Sequence, residues 1–416
     1  PDAILFFRMG DFYEMFYDDA VEAASLLGLT LTSRNHGRAS GDIPLAGVPH
    51  HAGESYVAKL IQLGRKVAIC EQVEDARKAK GIVKRDVVQV VSPGTILADT
   101  MLAVERNNYT ACIWVDDADD VSGSAGLAVV DLSTGDFSMG ELPMADLWDE
   151  LERLAPAELL LDESSETLRT PVKRRLPTVT ISFVESWKFD YRTAYGTLLE
   201  QFGVHSLVGF DCDDLDLGVC AGGAAISYLQ EAQRGGVDHI ARVRRRRRDE
   251  GLFIDATAQR NLDLLVNQQD GSISGSLVDV MDETLTPMGA RLLRTWLTNP
   301  LADVQEIARR LDTVDALDSE RTRRDELRNH LGMVGDLERM MARICCRRAN
   351  ARDLVGLSRS LSIMPEVRDL ADGLSTEPST RIAAQDMPST AELVALLDRA
   401  LVDDPPASIA EGGMIR

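Results

Sequence analysis

The sequence predicts a multidomain chain in which two α/β domains precede an all-α region. Three observations predict it. Strand and helix patterns interleave up to about residue 95, a second set of strands starts after Asn107, and beyond Gly251 apolar residues recur at three- and four-residue spacing. A chain of 416 residues is long enough for this, since a domain takes roughly 150 residues. The expected divisions are a mixed α/β domain over 1–95, a linker over 96–104, a second α/β domain over 105–248 and a helical region over 249–416.

In the first division, residues 3–8 (AILFFR) read as a buried strand, Met9-Gly10-Asp11 as a turn and Phe12 to Tyr17 as a second strand of a hairpin. Side chains at i and i+2 of a strand share a face, so Phe12 and Glu14 point one way and Tyr13 and Met15 the other. A carboxylate is costly to bury beside an aromatic ring. The Phe12–Glu14 face is therefore expected outward, with Tyr13 and Met15 in the core. Asp19 and Glu22 have capping-box spacing before a helix over 20–27 that Gly28 ends. The run from Ser33 to Gly47, rich in Gly, Ser, Asn and Arg, reads as a surface loop. Residues 55–63 read as a helix closed by Gly64, and KVAICEQV and DVVQVV as strands around a basic loop, Arg77 to Arg85.

The second division has strands TACIWV, SAGLAVVDLS and GDFSMGEL, a helix near 146–154 and strand AELLLDE. It ends at ARVRRRRRDE, a charge run that reads as a solvated connection, with phosphate binding by Arg244 to Arg248 as the alternative. In the third division RNLDLLVNQ, GARLLRTWL, VQEIARRLDTVDAL, DLERMMARI, ARDLVGLSRSL and AELVALLDRAL have helical spacing. The closing DDPPASIAEGGMIR breaks helix with two prolines and two glycines, as expected at the edge of a cut chain.

Composition excludes several function classes. With 44% hydrophobic and 27% charged residues and no apolar run near the roughly 18 that span a bilayer, the chain reads as globular, with no membrane partner. The apolar run Ala3 to Phe7 is too short for a signal peptide, so a cytoplasmic location is expected. Cys70, Cys112, Cys212, Cys220, Cys345 and Cys346 show no zinc spacing and are expected to be reduced and mostly buried. The net charge of −22 argues against a polyanionic partner, but it is unevenly spread. Lys and Arg against Asp and Glu number 11 and 12 in residues 1–95, 15 and 26 in 96–248, and 19 and 29 in 249–416. If a nucleic acid binds, the near-neutral first division is where it does so.

Among motifs, no G-x-x-x-x-G-K-[ST], G-x-S-x-G or H-E-x-x-H occurs. His50-His51 is expected to pack or cap rather than bind metal. Asp116, Asp117, Asp119, Asp120 and Asp131 form an acidic group that reads as a solvated hairpin loop with a strand-end aspartate. Its alternative is a divalent-metal site for phosphodiester cleavage.

GDFYEMFYDDA, followed by IPLAGVPHHAGESYVAKLIQLGRKVAICEQVED and VVQVVSPGT, resembles the mismatch-recognition domain of the bacterial MutS family of DNA mismatch repair proteins. QFGVHSLVGF, RNLDLLVNQQDGS and LTPMGARLLRTWLTNPL extend the resemblance over essentially the whole chain. It implies a mismatch-binding domain, an RNase H-like connector and the first part of a helical core or lever domain. It also implies that Phe12 wedges into the minor groove and stacks on a mispaired base while Glu14 hydrogen-bonds that base. Arg34 and Arg85 match positions that contact the DNA backbone, and Leu45-Ala46-Gly47 matches a loop at the groove, where the family often has Met for Leu45. The implied partners are mismatched double-stranded DNA, MutL and, in the full-length protein, a second copy, in a nucleoid-associated bacterial setting. The resemblance stops before the clamp and the ATPase, so ATP and magnesium belong to the full-length family protein, and this chain is expected to bind without catalysis. A metal-dependent nuclease built on the second domain and a pure interaction module are the competing readings.

Overall fold

A computed structural model describes residues 3–34, 43–74, 83–115, 123–247, 251–373, 387–406 and 411–416. The chain forms two compact units. One comprises Pro1–Leu102 and Asn108–Arg246, the other Ala103–Asn107 and Arg247–Arg416.

The first unit holds two six-stranded sheets. The first sheet is built from β1 (Ala3–Met9), β2 (Phe12–Phe16), β3 (Thr32–Arg34), β4 (Ile43–Pro49), β5 (Lys66–Gln72) and β6 (Arg85–Val91), in the order β3-β4-β2-β1-β5-β6. β5 runs parallel to β1 and the other pairs are antiparallel. Helices α1 (Tyr17–Leu27) and α2 (Gly53–Gln62) supply Ala20, Ala23, Val57 and Leu60 to one core with Ile4, Phe6, Tyr13, Met15, Val48 and Val67 from the sheet. Ile96 and Leu102, inside the stretch read as linker, are buried in that same core.

Three local expectations are corrected here. The second strand ends at Phe16, because Tyr17 takes a left-handed φ of 54° and opens α1. Asp19 does not cap that helix: its carboxylate accepts from the Leu5 backbone N–H at 2.9 Å, tying the helix to β1. Gly28 does end it, at φ 67°. Both described ends of the Ser33–Gly47 stretch are strand and not loop, since Thr32, Ser33 and Arg34 pair with Leu45, Pro44 and Ile43, and Leu45 to Pro49 pair with β2; residues 35–42 lie outside the described residues. Gly and Pro disfavour strands in isolation, but pairing on both sides supplies what local propensity lacks.

The second sheet contains β7 (Thr110–Val115), β8 (Ser124–Asp131), β9 (Asp136–Pro143), β10 (Glu158–Asp162), β11 (Thr180–Val184) and the short β12 (Arg244–Arg245). Its order is β11-β10-β7-β8-β9-β12, with β7, β8 and β9 antiparallel and β10 and β11 parallel to β7. On one face α3 (Met144–Leu154) and α4 (Arg169–Arg175) bury Leu147, Leu151 and Val172 against Ile113, Leu127 and Leu161. The other face takes α6 (Asp216–Gln233), which packs with α5 (Tyr191–Phe202). Close approach requires glycine at this seam: a Cβ on Gly126 would lie 2.0 Å from Leu217 O, and one on Gly223 would lie 2.3 Å from Ala194 Cα.

Where β6 leaves the first sheet, Ser92 to Thr95 pack under the second. Glu158, fully buried, accepts there from Gly94 N at 3.1 Å, from the Tyr228 hydroxyl at 2.6 Å, and from the hydroxyls of Ser92 and Ser182. Gln233 adds a bond to the Thr95 carbonyl at 3.2 Å and accepts from Gln89 at 3.2 Å. Burial, and then the Glu158 charge, push the Tyr228 hydroxyl well above its ordinary pKa.

The second unit is helical, as its periodicity predicts: α7 (Ala256–Asn261), α8 (Leu277–Met281), α9 (Pro287–Thr298), α10 (Val304–Ser319), α11 (Arg321–Leu331), α12 (Leu337–Cys345), α13 (Ala351–Gly373) and α14 (Ala391–Ala400). Asp255, Ser276, Thr286, Asp303 and Asp336 cap helices with their side chains, as residues of these types do. RNLDLLVNQ is helical only to Asn261; Asp263 has a left-handed φ of 48°, and a side-chain network around Asn267 replaces the helix. Buried arginines bind Ala103–Asn107 into this unit. Arg339 donates to the carbonyls of Ala103 and Arg106 at 2.9 and 2.8 Å, Arg291 to that of Val104 at 3.1 Å, and Arg294 to the Glu105 carboxylate at 2.5 Å. Arg291 is also paired with Asp336 and Glu338 at 2.7 Å. Among the described residues no helix is long and apolar enough to cross a membrane.

Candidate nucleic-acid interface

The hairpin of β1 and β2 turns at Gly10, whose φ of 61° suits glycine and lets Met9 pair directly with Phe12. From there the two faces separate as the period of two requires. Tyr13 and Met15 point inward, 8% and 0% exposed, whereas Phe12 is 47% exposed and Glu14 half-buried. Tyr13 is locked from several sides. Its hydroxyl bonds Glu71, its ring lies 5.8 Å from Phe6 and 5.3 Å from His50, and the Arg8 guanidinium is 5.7 Å from its centroid. Gly53 leaves the room this ring needs, since a Cβ there would sit 2.7 Å from it. His50 thus packs, as expected of it.

Cross-strand register lays out the outward face. Glu14 stands between Gly47 on β4 and Phe7 on β1, Phe12 between Pro49 and Met9, and Phe16 beside Leu45. Gly47 leaves the surface low between Phe12 and Glu14, both of whose side chains would be 3.9 Å from a Cβ there. Ala46 does not share this face: it is 1% exposed and packs in the core, because it pairs with the inward Met15. Leu45, Ala46 and Gly47 are therefore strand and not loop. Arg34 ends β3 opposite Ile43. Arg85 starts β6 and lies across Phe7, its guanidinium carbon 5.3 Å from the ring centroid, with Nε donating to Arg8 O at 2.7 Å and Nη1 to Val83 O at 3.0 Å.

Phe7 and Phe16, with rings edge-on at 6.4 Å, belong to this face and are missed by reading AILFFR as uniformly buried. The parity of the hairpin would have found them, because the partner of an outward Glu14 must itself point outward.

Among the described residues no group of His, Cys, Asp and Glu is placed to hold a metal ion. Asp131 is fully buried, one carboxylate oxygen accepting from Asn108 N at 2.9 Å and the other from Ser133 N and Oγ at 2.8 and 2.7 Å. Asp116, Asp117, Asp119 and Asp120 lie outside the described residues. Three of the arginines are paired with carboxylates remote in the chain, and two of the three belong to the sheet, so that part of the run is not a free connection. Arg244 pairs with Asp136 at 2.8 Å, Arg245 with Asp214 at 2.5 Å, and Arg246 with Glu150, while the first two form β12. Arg248 is outside the described residues. The six cysteines carry free thiols, five of them buried and Cys345 partly so.

Family models distinguish this arrangement from a generic α/β sheet. The model described as MutS domain I matches residues 1–100, MutS domain II matches 108–241 and MutS domain III matches 257–416, in that order along the chain. The chain belongs to the MutS family. Relatives named DNA mismatch repair protein MutS include that of Salinibacter ruber, 45% identical over all of this chain and 46% of the relative. Those of Symbiobacterium thermophilum and Chlorobaculum parvum are 40% and 39% identical over all of this chain, each covered to 47%. The chain thus spans about half the length of the curated MutS relatives it matches. Within it, the outward hairpin lies in the part matched by MutS domain I, and Glu158, Tyr228 and Asp131 in the part matched by MutS domain II.

Proposed function

We propose that the chain reads mismatched base pairs in double-stranded DNA as the recognition and scaffold part of a mismatch repair protein, by binding and not by catalysis. The observation that carries this is Phe12: a large aromatic side chain, 47% exposed at the end of a hairpin whose next residue is locked in the core, with Glu14 beside it on the same face.

An apolar wedge entering a base step costs a few kcal/mol of unstacking, which a bent duplex offsets with further contacts. A mismatched step is already weakened, so the wedge reads deformability and not sequence. Aromatic stacking on a base contributes about 1–3 kcal/mol whatever the base. Glu14 supplies the second half: ionised, it accepts from a base N–H, and protonated it donates to a purine nitrogen. Beside intact duplex it meets phosphate charge with no compensating bond, which penalises the wrong target. The near-neutral charge balance of residues 1–95 favours this part of an acidic chain as the contact. Leu45, Gly47 and Arg85 complete the surface and Ala46 contributes backbone only, while a DNA-backbone contact by Arg34 rests on family membership alone. The proposed partners of the full-length protein, MutL and a second copy, and its use of ATP and magnesium, rest on family membership alone.

The test is fluorescence anisotropy of matched and mismatched short duplexes at low salt, where phosphate contacts are strongest. Phe12→Ala should erase the mismatch preference, costing roughly 5- to 150-fold in mismatch affinity for about 1–3 kcal/mol of stacking. Glu14→Ala should lower discrimination while leaving matched-duplex affinity equal or higher. Equal weakening on both duplexes by either variant would sink the reading.

A further inference from the structure

We propose that Phe7 is a positioning residue of the DNA-reading face, holding Arg85 so that one edge of its guanidinium meets a phosphate. The proposal rests on the mismatch-binding reading above and adds to it a residue that touches neither base nor backbone.

Two carbonyls fix the orientation of Arg85 in its own plane, Arg8 O at 2.7 Å on Nε and Val83 O at 3.0 Å on Nη1. Among the described residues Nη2 takes no hydrogen bond. What sets the height of that plane above the sheet is the Phe7 ring, 5.3 Å away. The ring is itself held edge-on by Phe16 at 6.4 Å, and its backbone pairs with Glu14. Phe7 therefore connects the neighbouring strand, which carries Phe12 and Glu14, to Arg85 on β6, two strands from its own on the other side. A guanidinium resting on an aromatic face keeps its charge and its in-plane donors, because the ring attracts it through its quadrupole without using a hydrogen bond. Leucine fills similar volume but has no such face. With leucine the fork loses its seat, and the geometry that suits phosphate is no longer set in advance.

The salt dependence of duplex binding reads this directly, since each phosphate contact contributes about 0.9 to the slope of log K against log salt. Arg85→Ala should lower the slope by about 0.9, Phe7→Leu should lower it by a similar amount, and the double variant should match Arg85→Ala alone. Phe7→Tyr, which keeps the ring, should retain the original slope. In the free chain, the Arg85 Nε proton should exchange slowly by NMR and at least roughly tenfold faster in Phe7→Leu, as expected when a hydrogen-bonded group opens to water. A Phe7→Leu variant with unchanged slope and unchanged Nε protection overturns the proposal, as does additivity with Arg85→Ala. Failure of the mismatch reading looks different: matched and mismatched duplexes would bind alike while the slope still responded to Phe7. Absence of binding to either duplex overturns both.

Discussion

Replacing Glu158 by alanine removes one buried carboxylate that four donors share. The donors are the Gly94 amide and the hydroxyls of Ser92, Ser182 and Tyr228. A buried donor left without an acceptor costs about 1–3 kcal/mol. Not all four are stranded, because Ser92 and Thr95 hydroxyls already lie 2.9 Å apart and Tyr228 reaches Ser92 at 3.4 Å, so two can re-pair. Relief from desolvating the charge offsets part of the remainder. The net loss should be about 3 kcal/mol, a fall in Tm of roughly 6–12 °C for a unit of this size. Glu158→Gln keeps the shape, and hydroxyls can turn to accept from its amide, so it should lose about half as much. Circular dichroism melts of the three proteins would give the order, and hydrogen exchange at Gly94 would show the same opening locally. If alanine melted within a degree of the parent, or glutamine melted no higher than alanine, the carboxylate would not be what joins the first sheet's exit segment to the second sheet.

Two further outcomes follow from packing and charge. Glu150 would be raised by burial, but hydrogen bonds from Arg153 and the charge of Arg246 hold it below the usual carboxylate value. A depressed carboxylate stabilises above its unfolded value of about 4.3 and loses that contribution as pH falls through the folded one. Glu150→Gln should therefore lower Tm at neutral pH, with the difference closing below about pH 4, and a pH-independent difference would contradict the assignment. Gly53→Ala places a Cβ 2.7 Å from the Tyr13 ring on a residue with ordinary helical φ of −52°, so its cost is purely steric. A loss of about 1–3 kcal/mol is expected by urea titration, with mismatch preference reduced because Tyr13 lies between Phe12 and Glu14; a neutral substitution would show the ring free to move.

The outward face of the hairpin is legible in the sequence because a period of two and the cost of burying a carboxylate decide Phe12, Tyr13, Glu14 and Met15 without tertiary information. Phe7 and Arg85 are not legible in the same way, since their meeting depends on the parallel pairing of β1 with β5 and on β6 beyond it, contacts remote in sequence. The helical third announces itself through long amphipathic patterns. Residues between the second sheet's strand β10 and the arginine run do not: α6 is apolar almost all round, with Gly222-Gly223 inside it, because it packs against protein on both sides, Gly222 against the Met139 side chain and Gly223 against the backbone of Ala194. The arginine run misleads for the opposite reason. The counter-charges of Arg244, Arg245 and Arg246 are Asp136, Asp214 and Glu150, distant along the chain, and composition cannot see them.

The segment Ala103–Asn107 sets a schedule for synthesis. Arg291 follows its acceptor Val104 by 187 residues, and Arg339 follows Ala103 by 236. At about 5–20 residues per second, the ribosome delivers these donors roughly 10–50 s after the segment has emerged. Through that interval both sheets can close on either side of it while its carbonyls stay in water. The helical unit then completes itself around a stretch of chain made long before, so a ribosome that stalls upstream of Arg291 releases sheets whose joining segment has no arginine to receive it.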